Sequence, residues 1–136
     1  MNKAYENDRR RFQRLKVNLS VFYRVFEAPW SICELVGGDE FEAIAIDLSE
    51  SGLGLYSQHA FPEGVVLNLS FILYKCDDDG LISFKDPVDV KAMVCYCLPK
   101  EDGYYRLGVS FQEVTTKEKY SLANFIYSTR SPKCFI

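Results

Sequence analysis

Apolar and polar residues alternate through much of the chain. Val17, Leu19, Val21, Tyr23 and Val25 are interleaved with Asn18, Ser20 and Arg24, the mark of a strand with one buried face. Ser31 to Val36 reads as a second strand. Gly37-Gly38-Asp39-Glu40 then supplies turn chemistry, and Phe41 to Asp47 resumes the alternation, so these two segments are expected to form a hairpin. Further strands are expected at Leu53 to Tyr56, Val65 to Tyr74, Val88 to Leu98 and Tyr104 to Phe111, separated by a Pro62/Gly64 loop, an Asp77-Asp78-Asp79-Gly80 turn and a Pro99 to Gly103 turn. Six or seven strands without crossover helices predict an all-β antiparallel barrel or sandwich. One helix follows. Thr115-Thr116-Lys117-Glu118 has the capping-box pattern, and Leu122, Phe125 and Ile126 form an apolar stripe that should pack against one end of the sheet. Residues 1–14 are polar, follow neither period, and are expected to form a mobile arm.

The 136 residues suit one domain, and 48% hydrophobic content is enough for a core without disulfides or metal. A net charge of −3 argues against a DNA or RNA binder that tracks a phosphate backbone. The average conceals a split, however. Residues 1–16 hold six basic and two acidic residues, a net of +4, whereas the other 120 hold ten and seventeen, a net of −7. Five cysteines at irregular spacing fit reduced thiols, and Cys95 and Cys97, two apart in an apolar run, are expected on one strand face. With His59 as the single histidine, no metal site is predicted. No apolar run approaches the ~20 residues of a membrane span, and the charged start has no signal-peptide pattern, so a cytoplasmic protein without membrane insertion is expected.

Two short motifs offer chemistry. Arg10-Arg11-Phe12-Gln13-Arg14 brings three guanidinium groups to the junction between the arm and the first strand. Guanidinium is a planar, permanently charged fork that grips phosphate oxygens, stacks on flat rings and pairs with the O6/N7 edge of guanine. Asp47-Leu48-Ser49-Glu50-Ser51-Gly52 spells D-x-S-x-x-G between two strands. Asp, Ser and Gly build turns by themselves. The same carboxylate and hydroxyl can also accept the N–H groups on the Watson–Crick edge of guanine, and a glycine lets a ring approach the backbone.

R-R-x-x-R entering the first strand, D-x-S-x-x-G some thirty residues on, Gly54, Pro62-Glu63-Gly64, and the strand Tyr105-Arg106-Leu107-Gly108-Val109-Ser110-Phe111 before a terminal helix resemble the PilZ domain. The resemblance runs from about Arg9 to Ile126. It implies a six-stranded β-barrel that is a non-catalytic receptor for cyclic di-GMP, with no cofactor. Carried over, Arg10, Arg11 and Arg14 would hold phosphates and guanine edges, Asp47, Ser49 and Gly52 would receive a guanine, and Arg9 is an auxiliary. All six motif positions are intact. The organisation expected is an arm at 1–8, the PilZ domain at 9–130 and a tail at 131–136. Without an output domain in the chain, the arm would close over the ligand and present a changed surface to a downstream protein partner. The rival expectation is a PilZ-like interaction module that binds no nucleotide.

Gly37-Gly38-Asp39-Glu40-Phe41 also spells the signature of diguanylate cyclases. Such a domain is larger than this chain and α/β in fold, with its metal and phosphate sites ahead of the motif, so a turn is the expected reading here. The acidic triplet at Asp77 to Asp79 lacks the ligand spacing of an EF-hand and reads as a solvated turn.

Overall fold

The structure, a computed structural model, describes residues 14–129. The expected arm at 1–8, the residues Arg9, Arg10 and Arg11, and the tail at 131–136 lie outside the described residues. Six strands carry the alternation into three dimensions: β1 (Leu15–Glu27), β2 (Phe41–Leu48), β3 (Gly52–Ser57), β4 (Val66–Cys76), β5 (Ile82–Pro99) and β6 (Tyr105–Gln112). All neighbours are antiparallel, and the order β1-β2-β3-β6-β5-β4 closes on itself, so a barrel and not a sandwich buries the apolar face. Val21, Ala45, Leu55, Leu67, Ala92, Val94 and Leu107 point inward with no exposed surface.

Among the described residues, two α-helices join the strands: α1 (Trp30–Val36) and α2 (Thr116–Thr129). The Thr115 hydroxyl oxygen accepts the Glu118 N–H at 3.1 Å while Glu118 Oε1 accepts the Thr115 N–H at 3.1 Å, the reciprocal cap foreseen for α2. Leu122, Phe125 and Ile126 join the core. Ser121 donates to Asp86 of β5, and the Tyr127 hydroxyl donates to Glu50 Oε2 at 3.1 Å, which ties α2 to the turn between β2 and β3. Among the described residues, no helix is long and apolar enough to cross a membrane.

Helix α1 corrects the strand expected at Ser31 to Val36. Pro29 pre-sets the backbone just ahead of the helix, and its carbonyl accepts N–H groups from Ile32 and Cys33 at 3.0 and 3.2 Å. Ile32 and Val36, four apart, then pack toward the core, and Gly37 ends the helix at φ +61°. The Gly-Gly-Asp-Glu string is therefore a helix-to-strand connection and not a hairpin turn. Arg24 of β1 secures it by donating to the Gly38 carbonyl at 3.1 Å.

Strand β5 begins at Ile82, six residues before the expected start. Pro87 is tolerated because β5 pairs only with β4 there; its pairing with β6 starts at Lys91. The Asp77 carboxylate shapes the preceding turn by accepting N–H groups from Asp79 and Leu81 at 3.0 and 2.9 Å.

Gly52 is needed because β3 and β6 pack closely: a Cβ there would sit 2.1 Å from the Val109 carbonyl oxygen. Backbone cannot step aside as a side chain can. Gly52→Ala is expected to lower stability by ~1–3 kcal/mol, read from urea unfolding; an unchanged midpoint would contradict the close approach.

Tyr23 is buried, with its hydroxyl 2.9 Å from Ser57 Oγ and 2.8 Å from His59 Nδ1. Burial pushes its pKa above the ordinary 10.0, more than the Ser57 hydrogen bond lowers it. The folded chain therefore keeps this proton at a pH where the unfolded chain loses it. Its contribution is intact below pH about 10 and is lost as pH rises toward the folded pKa. Unfolding free energy should fall on this alkaline limb, and Tyr23→Phe should make the fall shallower; identical slopes would contradict the assignment.

Candidate functional site

The site begins with two breaks in the alternation. Ala43 and Ala45 of β2 point inward, so strict alternation would send Asp47 into the core. Between Ala45 and Asp47 the β2–β3 register shifts by one residue. Ala45 stands opposite Leu55 but Asp47 opposite Gly54, so the extra residue, Ile46, turns Asp47 to the outer face and Leu48 inward. The same device recurs in β5. Val94 faces Val109, Tyr96 faces Gly108, and Cys95 is the extra residue. Bulges of this kind re-aim side chains beside functional sites. This bulge also overturns the common face expected for two cysteines: Cys95 is exposed, whereas Cys97 packs against the core.

Asp47 and Tyr96 thereby converge on a row without side chains. Asp47 pairs with Gly54, Gly54 with Gly108, and Gly108 with Tyr96. A Cβ on Gly108 would lie 2.0 Å from the Tyr96 ring, and one on Gly54 would lie 3.0 Å from Asp47 Oδ2. The paired glycines form a floor on which a carboxylate and a phenol ring rest.

Two arginines hold that carboxylate. Arg14 Nη1 donates to Oδ1 and Arg106 Nη2 donates to Oδ2, each at 2.7 Å. The Arg106 Nε–H also donates to the Tyr96 hydroxyl at 3.4 Å. With nothing on Gly54 in the way, the Arg106 side chain crosses β3 to reach its partner on β2. The Asp47 side chain is only 11% exposed, against 28% for Arg14 and 31% for Arg106. Exposed pairs contribute little, but stripping a nearly dry charge of its partner costs about 3–5 kcal/mol. Each arginine therefore covers the loss of the other. The Tyr96 hydrogen bond, and behind it the Asp47 charge, hold the Arg106 guanidinium further toward its charged form, against partial desolvation.

Two guanidinium groups outweigh one carboxylate, and Lys16 stands opposite Asp47 in the β1–β2 register. The outer face is thus locally cationic on a chain of net charge −3. It offers forks for an anion, a carboxylate for N–H donors, and the Tyr56 ring, stacked on Tyr104 with centroids 5.2 Å apart, beside Arg106 in the β3–β6 register.

The motif residues are divided by the structure. Arg14 and Asp47 meet directly. Ser49 is 2% exposed and builds the turn: its hydroxyl accepts the Ser51 N–H at 3.2 Å and donates to the Gly52 carbonyl at 3.3 Å. Gly52 serves strand packing. The sequence context of Arg106 carries no sign of this role, because its partnership with Asp47 spans 59 residues and requires the register of three strands.

The chain matches the sequence model of the PilZ domain over residues 8–128. No curated protein sequence matches it. Among solved structures it is similar to the Bacillus subtilis inhibitor of motility MotI/DgrA, with 15% identity and a TM-score of 0.64, covering 89% of this chain and 51% of that one. It is also similar to the PilZ domain of YcgR from Escherichia coli with c-di-GMP, with 16% identity, a TM-score of 0.57 and coverage of 88% and 90%. The K. pneumonia MrkH–c-di-GMP complex follows at 15% identity and a TM-score of 0.60, covering 88% and 52%. The chain spans about half the length of the MotI/DgrA and MrkH chains. At these identities the structures speak to fold alone, and they agree on it. Sequence match and closed six-stranded barrel together establish that the chain belongs to the PilZ domain family.

Proposed function

We propose that this protein is a receptor for cyclic di-GMP and not an enzyme. The observation that carries the reading is the outward-facing Asp47 carboxylate, bulged out of the core phase onto a glycine floor and shared by two guanidinium groups. A guanine edge presents N–H donors to such a carboxylate, while phosphates suit the forks of Arg10, Arg11 and Arg14, with Arg9 as an auxiliary. Ser49 and Gly52 contribute by fixing the turn that presents Asp47. The c-di-GMP complexes of YcgR and MrkH, which share the fold, support this ligand class.

In this reading the ligand gathers residues 9–14 onto the barrel, and a protein partner reads the changed surface. Tyr127 on Glu50 gives α2 a direct contact with the motif turn, a second place where binding would be felt. A constitutive interaction module is the alternative, and one observation favours it. An apolar groove of about 610 Å³, lined by Phe22, Ile44, Ile72, Tyr74, Ile82 and Pro87, lies open on the outer face of β1, β2, β4 and β5.

Calorimetric titration with cyclic di-GMP separates the two. Binding is expected, and Arg10→Ala or Arg14→Ala should each weaken it at least tenfold, about 1.4 kcal/mol. Arg14→Lys should weaken it too, because a point charge replaces the fork. Absence of heat from the folded wild type would select the interaction module, and unchanged isotherms for both alanine variants would refute the arginine assignment.

A further inference from the structure

We propose that Arg106 is a positioning residue for ligand binding: it keeps Asp47 oriented and paired while Arg14 transfers from Asp47 to the ligand. The inference rests on the cyclic di-GMP reading above and assigns a role to a side chain outside both motifs.

The two arginines hold Asp47 in different ways. They occupy separate oxygens, Arg14 on Oδ1 and Arg106 on Oδ2. Arg14 precedes the first residue of β1, at the margin of the barrel, and belongs to the cationic cluster that the ligand calls on. Arg106 lies within β6, its backbone opposite Tyr56 on one side and Leu98 on the other. Its Nε–H is further anchored on the Tyr96 hydroxyl, and the Tyr96 ring is itself set against Gly108.

Arg14, at the entry to β1 and within the arginine motif, is the partner assigned to the ligand, and Arg106, set within β6 between β3 and β5, is the one that stays. When Arg14 turns to a phosphate, Oδ1 is released to accept guanine N–H groups. Oδ2 stays on Arg106, so the nearly buried carboxylate never loses all compensation. Without Arg106, the ligand would have to draw Arg14 away from a carboxylate that has lost its other ion pair among the described residues. Arg106 thus acts on the ligand through Asp47, which predicts a specific pattern of coupling.

The test is a double-mutant cycle by calorimetry with cyclic di-GMP, using the 136-residue chain. Arg106→Gln should weaken binding at least tenfold, and Arg106→Lys should recover part of that loss, restoring the charge but not the second donor anchored on Tyr96. In an Asp47→Asn background, Arg106→Gln should add less than about twofold, because its route to the ligand is gone. Thermal melts establish that each variant is folded. Should Arg106→Gln fail to fold, Tyr96→Phe, which removes only the hydroxyl anchoring Arg106, should weaken binding in the same direction and likewise lose its effect in the Asp47→Asn background. Wild-type-like binding by Arg106→Gln, or independent losses that multiply in the double variant, would overturn the inference while leaving the ligand reading in place. No binding by the wild type would strike the ligand reading itself and the inference with it.

Discussion

A carboxylate that is nearly dry yet faces outward is the constraint around which this barrel is arranged. Asp47 can occupy its position only because a bulge takes it out of the core phase, because Gly54 leaves room for its oxygens, and because two guanidinium groups replace the water it has lost. Each requirement reaches a different strand. β2 supplies the bulge, β3 and β6 the glycines, β6 and the entry to β1 the cations, and β5 a second bulge that turns Tyr96 over the floor. A polar cluster so distributed depends on barrel closure for its register.

That dependence decides what the sequence could disclose. The period-two alternation of Val17 to Val25 and of Tyr105 to Phe111 is a local property, and β1 and β6 follow it closely. The cap at Thr115 and Glu118 is equally local, since both hydrogen bonds span three residues. Helix α1 escaped because seven residues hold too little periodicity: Ile32 and Val36 fit a helix face and an alternating strand equally well. The bulges escaped because they are exceptions to the pattern being read. A carboxylate in phase with the inward Ala43 and Ala45 is a conflict that only a bulge or a buried charge can resolve. Arg106 was out of reach, since an arginine on the outer face of a strand gives no sign of a partner two strands away.

Family membership also recasts the charge distribution. Net charge of −3 on the whole chain counts against long polyanions, while Arg14, Lys16 and Arg106 gather positive charge around Asp47 at one outer patch. The proposed ligand, a compact dianion with two purine rings, suits such a patch better than an extended backbone does. The cyclase-like string at Gly37 to Phe41 plays no part in it: there a positive-φ glycine ends α1, and Arg24 fastens the connection.

In the proposed exchange, Asp47 gives up one cation for a guanine edge while keeping the other. A crystal structure of the protein with cyclic di-GMP tests it most directly. The ligand should lie on the outer face beside Gly54, with guanine N–H groups on Asp47 Oδ1, Arg14 moved to the ligand and Arg106 still on Oδ2. A ligand seated elsewhere on the barrel, or one bound while both ion pairs of Asp47 remain intact, would contradict it.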